Sequence, residues 1–440
     1  MLKSVVVGGL FALALFLVPA GTAAPHGQVK ASAIKRFVVH GVYTREQRSL
    51  LVRQGYDIGE AYWADHVELY GTDAQARRLA LHGMRVPRVK PDDFPPPDAG
   101  YHNYAEMVDD LQAVAAARPS IVHLFSLGTS YEGRNIIGAR VSDDPTDNLS
   151  EPGVFFVGQH HAREHLTVKV VLSLLHMFAG TTPNVSTEVS QLVHTRQIYI
   201  VPSLNPDGSE YDIASGSYQF WRKNRQPNPD AIGTDNNRNY SYRWGCCGGS
   251  SGFGGSETYR GPNALSAPEN QRMRDFMLAH PNVTTGISFH SSAELVLYPY
   301  GYTYEDLPPD MNPVDHQTFV AMGAEMQRTT GYQAQQSSDL YITDGDWNDW
   351  MYGELHRYPI TIEISGYGFG FYPPDEYIPI EARRDWRAAL FDARIADCPT
   401  KIVGVNCSWP RADGSPKPPA PVGRSYRGRA EFRQRERGIR

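Results

Sequence analysis

The chain has 440 residues, 41% of them hydrophobic and 20% charged, with a formal net charge of −6 at pH 7. That is enough apolar material for one large domain plus extras, with a sizeable core. The slightly acidic balance gives no reason to expect nucleic acid as a partner.

The chain opens with Lys3, an apolar run from Val5 to Val18 and the small-residue stretch "PAGTAAP". The run is shorter than the roughly 20 apolar residues that a membrane span needs. A charged start, an apolar middle and small residues read as a secretory signal over residues 1–23, cut near Ala20 to Ala24. No later stretch is long and apolar enough to span. The expected product is therefore secreted to the extracellular medium, soluble, and without stable membrane insertion.

Residues 24–97 read as a small unit of their own. "RFVVHGVY" is a predicted strand, and Thr44 with Gln47 forms a capping box that opens a helix ending near Gly55. "HVELYG" is a second predicted strand. Thr72 and Gln75 make another capping box, Gly83 stops that helix, and "MRVPRV" is a third predicted strand. The order β-α-β-α-β describes an α/β module of about 65 residues, small but able to fold. The proline-rich connector "KPDDFPPPDAG" follows, with Arg88 and Lys90 at its start. Such exposed connectors mark domain boundaries and invite proteolysis.

From about Tyr101 to Gly404, strand-like and helix-like stretches alternate. "YAEMVDDLQAVAAARP" is an amphipathic helix stopped by Pro119; "VHLFSLG", "NIIGARVS" and "GVFFVGQ" are strands. "TVKVVLSLLHMFAG" is a helix ending at Gly180, and "RQIYIVPSLNPDG" is a strand entering a turn. The predicted fold class is α/β, a mixed central sheet with helices on both faces, over residues 98–404. Residues 405–440 carry seven arginines between Gly423 and Arg440 and no apolar pattern, and read as a disordered basic tail.

The four cysteines, Cys246, Cys247, Cys398 and Cys407, fit an oxidising compartment. Three pairings exist; the direct Cys246–Cys247 bond is the least expected, because neighbours must strain the backbone to bridge. A cysteine zinc site would want C-x-x-C spacing, which is missing.

"GQHHAREH", Gly158 to His165, follows the apolar run "GVFFV" directly. Functional residues of open α/β sheets gather past the carboxyl ends of strands. The i, i+3 spacing of His161 and Glu164 puts an imidazole and a carboxylate on one side of a starting helical turn, and both are ordinary zinc ligands. A catalytic zinc needs a third ligand, and His290, at the end of the alternating stretch "TTGISFHS", supplies one. In "YPITIEISGYG", Ile360, Ile362 and Ile364 mark an apolar strand face, and Glu363 lies on the other. In a sheet covered on both sides its carboxylate is largely buried, which suits a general base working near neutral pH. "QFWRKNR" holds Arg222, and "GTDNNRNY" holds Asp235, Asn237 and Arg238; arginine binds carboxylates in a two-pronged fork, and asparagine adds a directed amide.

The order H-x-x-E, "WRK", "DNNRN", "SFHS", "LY", "TIEI" resembles the zinc metallocarboxypeptidases, the exopeptidases typified by carboxypeptidase A, over roughly Tyr101 to Pro399. "SYEGRNI" and "SETYRGPNALSAPEN" also look like landmarks of that family, and "FPPPDAGYHNYAEM" is similar to the mature start of the bacterial carboxypeptidase T branch. The resemblance implies one Zn2+ per chain on His161, Glu164 and His290, with calcium left open. It implies Glu363 as general base and acid, and Arg222 as the group that polarises the scissile carbonyl. Asn237, Arg238 and Tyr341 would hold the substrate's terminal carboxylate, Arg163 would add a weaker carboxylate contact, and Asp235 would orient His161 from behind. Asn348 falls near the base of the pocket for the terminal side chain, and Asp346 where the carboxypeptidase T branch has an acid. His160 and His165 are read as structural. The module before the connector resembles the family's propeptide, so residues 24–97 would be inhibitory. The implied protein is a monomeric zymogen that acts on the C-termini of peptides and proteins and accepts hydrophobic and basic end residues. A same-fold amidase for cell-wall peptides or acyl amino acids, or a non-catalytic zinc- or peptide-binding relative, are the alternatives.

Overall fold

The structure, a computed structural model, describes residues 35–406 apart from 43, 63–65, 73–74, 76–77, 80–99, 145, 183–185 and 215–217. The leader, the strand expected at "MRVPRV", the connector up to residue 99 and all of the basic tail after residue 406 lie outside these.

The first unit contains β1 (Lys35–His40), α1 (Arg45–Arg53), β2 (Asp57–Tyr62) and β3 (His66–Gly71). Thr44 and Gln47 close the expected capping box on α1, and Thr72 and Gln75 exchange the same pair of bonds. The sheet runs β1-β3-β2, with β3 antiparallel to both neighbours. The expected order is corrected here, because β2 stands between α1 and "HVELYG". Its sequence, "DIGEAY", is rich in poor strand formers and lacks apolar alternation. Pairing of Asp57 with Tyr70 and Ile58 with Leu69 supplies what the local sequence does not.

The large unit is built on an eight-stranded mixed sheet of order β10-β9-β11-β8-β6-β7-β5-β4. Its strands are β4 (Val122–Thr129), β5 (Asn135–Val141), β6 (Gly153–Gly158), β7 (Gln197–Val201), β8 (Val283–Ser291), β9 (Leu295–Tyr298), β10 (Gln333–Gln336) and β11 (Tyr358–Ile364). The expected fold class is what is found. β6 shows why "GVFFV" is apolar throughout: each residue faces a covered side. Val154 and Phe156 enter a cluster with Leu166, Val170 and Leu174 of a helix over His165–Phe178, here α3 after α2 (Tyr104–Ala117). Phe155 and Val157 face the opposite way, against Met273 and Phe276 of one helix (Pro268–Ala279) and Trp347 and Trp350 of another (Trp347–Gly353). No helix among the described residues is long and apolar enough to cross a membrane.

The topology gathers one edge. β11, β8 and β6 are adjacent and parallel, so their carboxyl ends emerge together. In that register Glu363 lies directly beside His290, and Gly158 beside Phe289.

The cysteine expectation is also corrected: Cys246 and Cys247 are bonded to each other. Gly245 (φ +66°) and Gly248 (φ +78°) flank the pair in left-handed conformations that only glycine adopts cheaply, and so absorb the tight turn. Cys398 is disulfide-bonded too, with its partner outside the described residues.

The two-sided packing of β6 sets a first test. Phe156 is fully buried and stacks on Phe178 at 6.0 Å. Phe156→Ala should cost about 3–5 kcal/mol, read as a lowered denaturation midpoint. An unchanged midpoint would mean that this face is not the principal core.

Candidate active site

The turn after β6 starts at Gln159, held at φ +55°, with its side-chain amide on the Ala162 carbonyl at 3.0 Å. It delivers His161 and then Glu164, the N-cap of α3, whose backbone N–H donates to the His161 carbonyl at 3.2 Å. His290 arrives from β8. His161 Nδ1 lies 2.7 Å from Glu164 Oε1, and His290 Nδ1 lies 3.0 Å from Glu164 Oε2 and 3.1 Å from His161 Nδ1. The three residues are buried, and their ligand atoms lie within 4.8 Å of one another. Two imidazole nitrogens and a carboxylate turned to one point make a zinc donor set, so the residues fit that ion.

Behind the cluster stands Asp235. Its Oδ1 is 3.2 Å from His161 Nε2 and accepts from the Asn237 backbone N–H at 2.9 Å; its Oδ2 accepts from Arg222 Nε at 3.0 Å. Burial opposes the Asp235 charge, but Arg222 and His161 outweigh it and hold the carboxyl well below the usual carboxylate range. Burial, then Arg222, lowers the pKa of His161 despite its acidic neighbours, which favours the neutral, ligating imidazole. His160 bonds Tyr240 Oη at 2.9 Å and Ser288 Oγ at 3.0 Å, and His165 bonds Asp212 at 2.9 Å.

Beside the cluster opens a cavity whose lining includes Asn237, Arg238, Tyr341, Asp346, Asn348 and Glu363. Leu297, Ser337, Thr343 and Thr361 line it as well, and no sequence signal singled them out. Thr361 does share the strand face of Glu363, two residues on. The Asn348 amide is engaged at both ends, donating to the Leu297 carbonyl at 3.1 Å and accepting from Thr361 Oγ1 at 3.0 Å. Asp346 caps the helix Trp347–Gly353 by accepting from the Asp349 N–H at 2.8 Å, and it also accepts from the Thr343 hydroxyl. Burial raises the pKa of Asp346.

Arg163 is not among the residues lining this cavity. Its guanidinium makes a two-pronged pair with Asp57 of β2, at 2.6 and 3.0 Å, and lies 4.0 Å over the Phe371 ring. The first unit also grips the chain around Tyr341. Arg48 donates to the carbonyls of Leu340 (2.6 Å) and Asp339 (2.8 Å), and Ser49 Oγ accepts from the Ile342 N–H at 2.8 Å. Nothing in the sequence pointed to Asp57: it lies in a stretch that does not look like a strand.

Comparison with known proteins agrees with this geometry. Residues 107–388 match the model of the zinc carboxypeptidase family. A zinc carboxypeptidase of Saccharothrix mutabilis subsp. capreolus is 40% identical over 344 residues, covering 76% of this chain and 78% of that protein. Bos taurus carboxypeptidase A1 is 29% identical over 300 residues, 66% of this chain and 69% of that one. The crystal structure of carboxypeptidase A from Helicoverpa armigera superposes with a TM-score of 0.70 at 22% identity, covering 83% of this chain and 98% of that one, a likeness of fold. The chain belongs to the zinc carboxypeptidases, a family of zinc-dependent exopeptidase hydrolases.

Proposed function

We propose that this carboxypeptidase is a secreted zymogen that removes single residues from the C-termini of peptides and proteins, hydrophobic and basic ends alike. The observation that carries the reading is the shared cavity. Asn237, Arg238, Tyr341 and Glu363 line one space next to the cluster of His161, Glu164 and His290.

His161, Glu164 and His290 hold the zinc in this reading, which supplies Lewis-acid activation of water and of the scissile carbonyl. Glu363, beside His290 across the β8–β11 ladder, takes a proton from the attacking water and hands it to the departing amine. Arg222, aimed by Asp235, meets the negative charge that develops on the carbonyl oxygen. Arg238 and Asn237 receive the terminal carboxylate, and Tyr341 closes over it from the opposite wall. Only a chain end offers a carboxylate there, which makes the enzyme an exopeptidase.

The end-residue preference follows from the lining. Leu297 gives an apolar wall; Asn348, Ser337 and Thr361 give neutral polar edges; Asp346 is the acid that can attract a cation. Asp346 is buried and already accepts from the Asp349 N–H and the Thr343 hydroxyl, so its pull on a cationic end does not exclude large apolar side chains, whose burial contributes about 1.5–3 kcal/mol. Leucine- or phenylalanine-ending and arginine- or lysine-ending peptides should be cut with rates within about two decades of each other. Amide-blocked peptides should resist, and a zinc chelator should stop all turnover. Equal hydrolysis of free and blocked ends would favour the amidase reading.

Residues 24–97 act as the inhibitory propeptide, and residues 1–23 as the secretory signal. In support, Asp57 places a carboxylate on Arg163, an arginine expected to meet substrate, while Arg48 and Ser49 hold the strand of chain that carries Tyr341. Asp57→Ala strands a buried guanidinium and weakens docking, so activity of the uncleaved chain should rise by about tenfold or more. An uncleaved variant as silent as the parent would remove Asp57 from the inhibitory contact.

A further inference from the structure

The terminal-carboxylate arginine is aimed by a loop that chemistry has not yet engaged. Two backbone carbonyls hold the Arg238 guanidinium: that of Asn237, at 2.6 Å from Nη1, and that of Gly249, at 3.1 Å from Nε. The first belongs to the adjacent residue and moves with it. The second is the external reference, and it lies on the turn Gly245–Ser251 that carries the Cys246–Cys247 disulfide.

That turn is fastened by one buried carboxylate. Asp344 Oδ2 accepts from the backbone N–H groups of Gly249 (2.9 Å) and Cys247 (3.2 Å), and Oδ1 accepts from the Ser250 hydroxyl. The approach is so close that a Cβ on Gly249 would overlap the backbone of Thr343. Asp344 itself sits between Tyr341 and Asp346, on the segment that contributes Tyr341, Thr343 and Asp346 to the cavity lining. The backbone of that segment is tied back again where the Tyr240 N–H donates to the Gly345 carbonyl at 2.9 Å. Asp344 is thus the side chain that joins the turn holding Arg238 to the segment carrying Tyr341, alongside the Gly345 backbone bond and the Trp347 N–H bond to Asn237 Oδ1 at 2.9 Å.

We propose that Asp344 and the disulfide turn form a positioning device for terminal-carboxylate binding, with Asp344 acting through the Gly249 carbonyl on Arg238. The covalent link between Cys246 and Cys247 shortens the turn, so that the Cys247 and Gly249 N–H groups present themselves together to one carboxylate oxygen. Neither Asp344 nor the cysteines touch the reacting atoms. Their effect falls on how well a chain end is held, and not on proton transfer or on the metal cluster. The inference rests on the reading that Arg238 receives the substrate's terminal carboxylate.

The test uses the processed enzyme and a free-ended peptide, with KM, kcat and bound zinc measured for four variants. Asp344→Ala should raise KM about tenfold, the usual scale for leaving buried donors unpartnered, with kcat within about threefold and zinc unchanged. Asp344→Asn, which can still accept from both N–H groups and donate to Ser250, should recover most of the affinity. The paired change Cys246→Ser with Cys247→Ser should raise KM in the same direction. Arg238→Ala is the reference and should raise KM more than any of them. If it does and Asp344→Ala stays within about twofold of the parent, positioning by Asp344 is refuted while carboxylate binding by Arg238 stands. If Arg238→Ala leaves KM unchanged, the carboxylate reading fails and the inference with it. If Asp344→Ala loses zinc and kcat together, the fold has suffered, and the paired cysteine variant decides: an unchanged KM there overturns the proposal.

Discussion

Asp235 is the constraint on which the site depends. One buried carboxylate meets His161 Nε2, Arg222 Nε and the Asn237 N–H, and so ties into one body the His161–Glu164–His290 cluster, the arginine we propose faces the scissile bond and the turn we propose receives the terminal carboxylate. Burying such a charge is unfavourable by itself; it persists because two cationic or polarisable partners and a backbone donor surround it. The geometry is therefore set before substrate arrives, which is what electrostatic stabilisation of a transition state requires. Loss of Asp235 would release three functional groups at once.

The sheet supplies the second constraint. Parallel β6, β8 and β11 end at one edge, and the β8–β11 register sets Glu363 against His290. Ile360, Ile362 and Ile364 hold the opposite face of β11 in the core, which fixes the direction of Glu363 without any contact in the site. The two-sided burial that makes "GVFFV" apolar also anchors the turn that presents His161 and Glu164. Stability and function are joined through the same strands.

What was legible in the chain follows from this. Period-2 alternation in "TIEI" and "SFHS" gave the faces of Glu363 and His290, because both strands pack one apolar side. The i, i+3 spacing of His161 and Glu164 was readable because the turn leads straight into a helix. β2 was not readable: "DIGEAY" is a strand only because β3 pairs with it, and a tertiary contact leaves no local trace. Asp57 was invisible for the same reason, since its partner Arg163 lies 106 residues away. The Cys246–Cys247 bond ran against the expectation for neighbouring cysteines, and the glycines on either side are the feature that makes it feasible. Asn348 and Asp346 stood at readable positions, but their bonds to Leu297, Thr361, Thr343 and Asp349 depend on packing that spacing does not reveal.

The central claim is a division of labour between adjacent strands, in which His290 binds metal and Glu363 moves protons. Zinc content and turnover of His290→Ala and Glu363→Gln, measured side by side, test it most directly. His290→Ala should lose zinc and activity together. Glu363→Gln should keep its zinc and lose about two to four orders of magnitude in kcat, the usual contribution of a positioned base. Near-parental turnover in Glu363→Gln, or full zinc and activity in His290→Ala, would contradict the assignment.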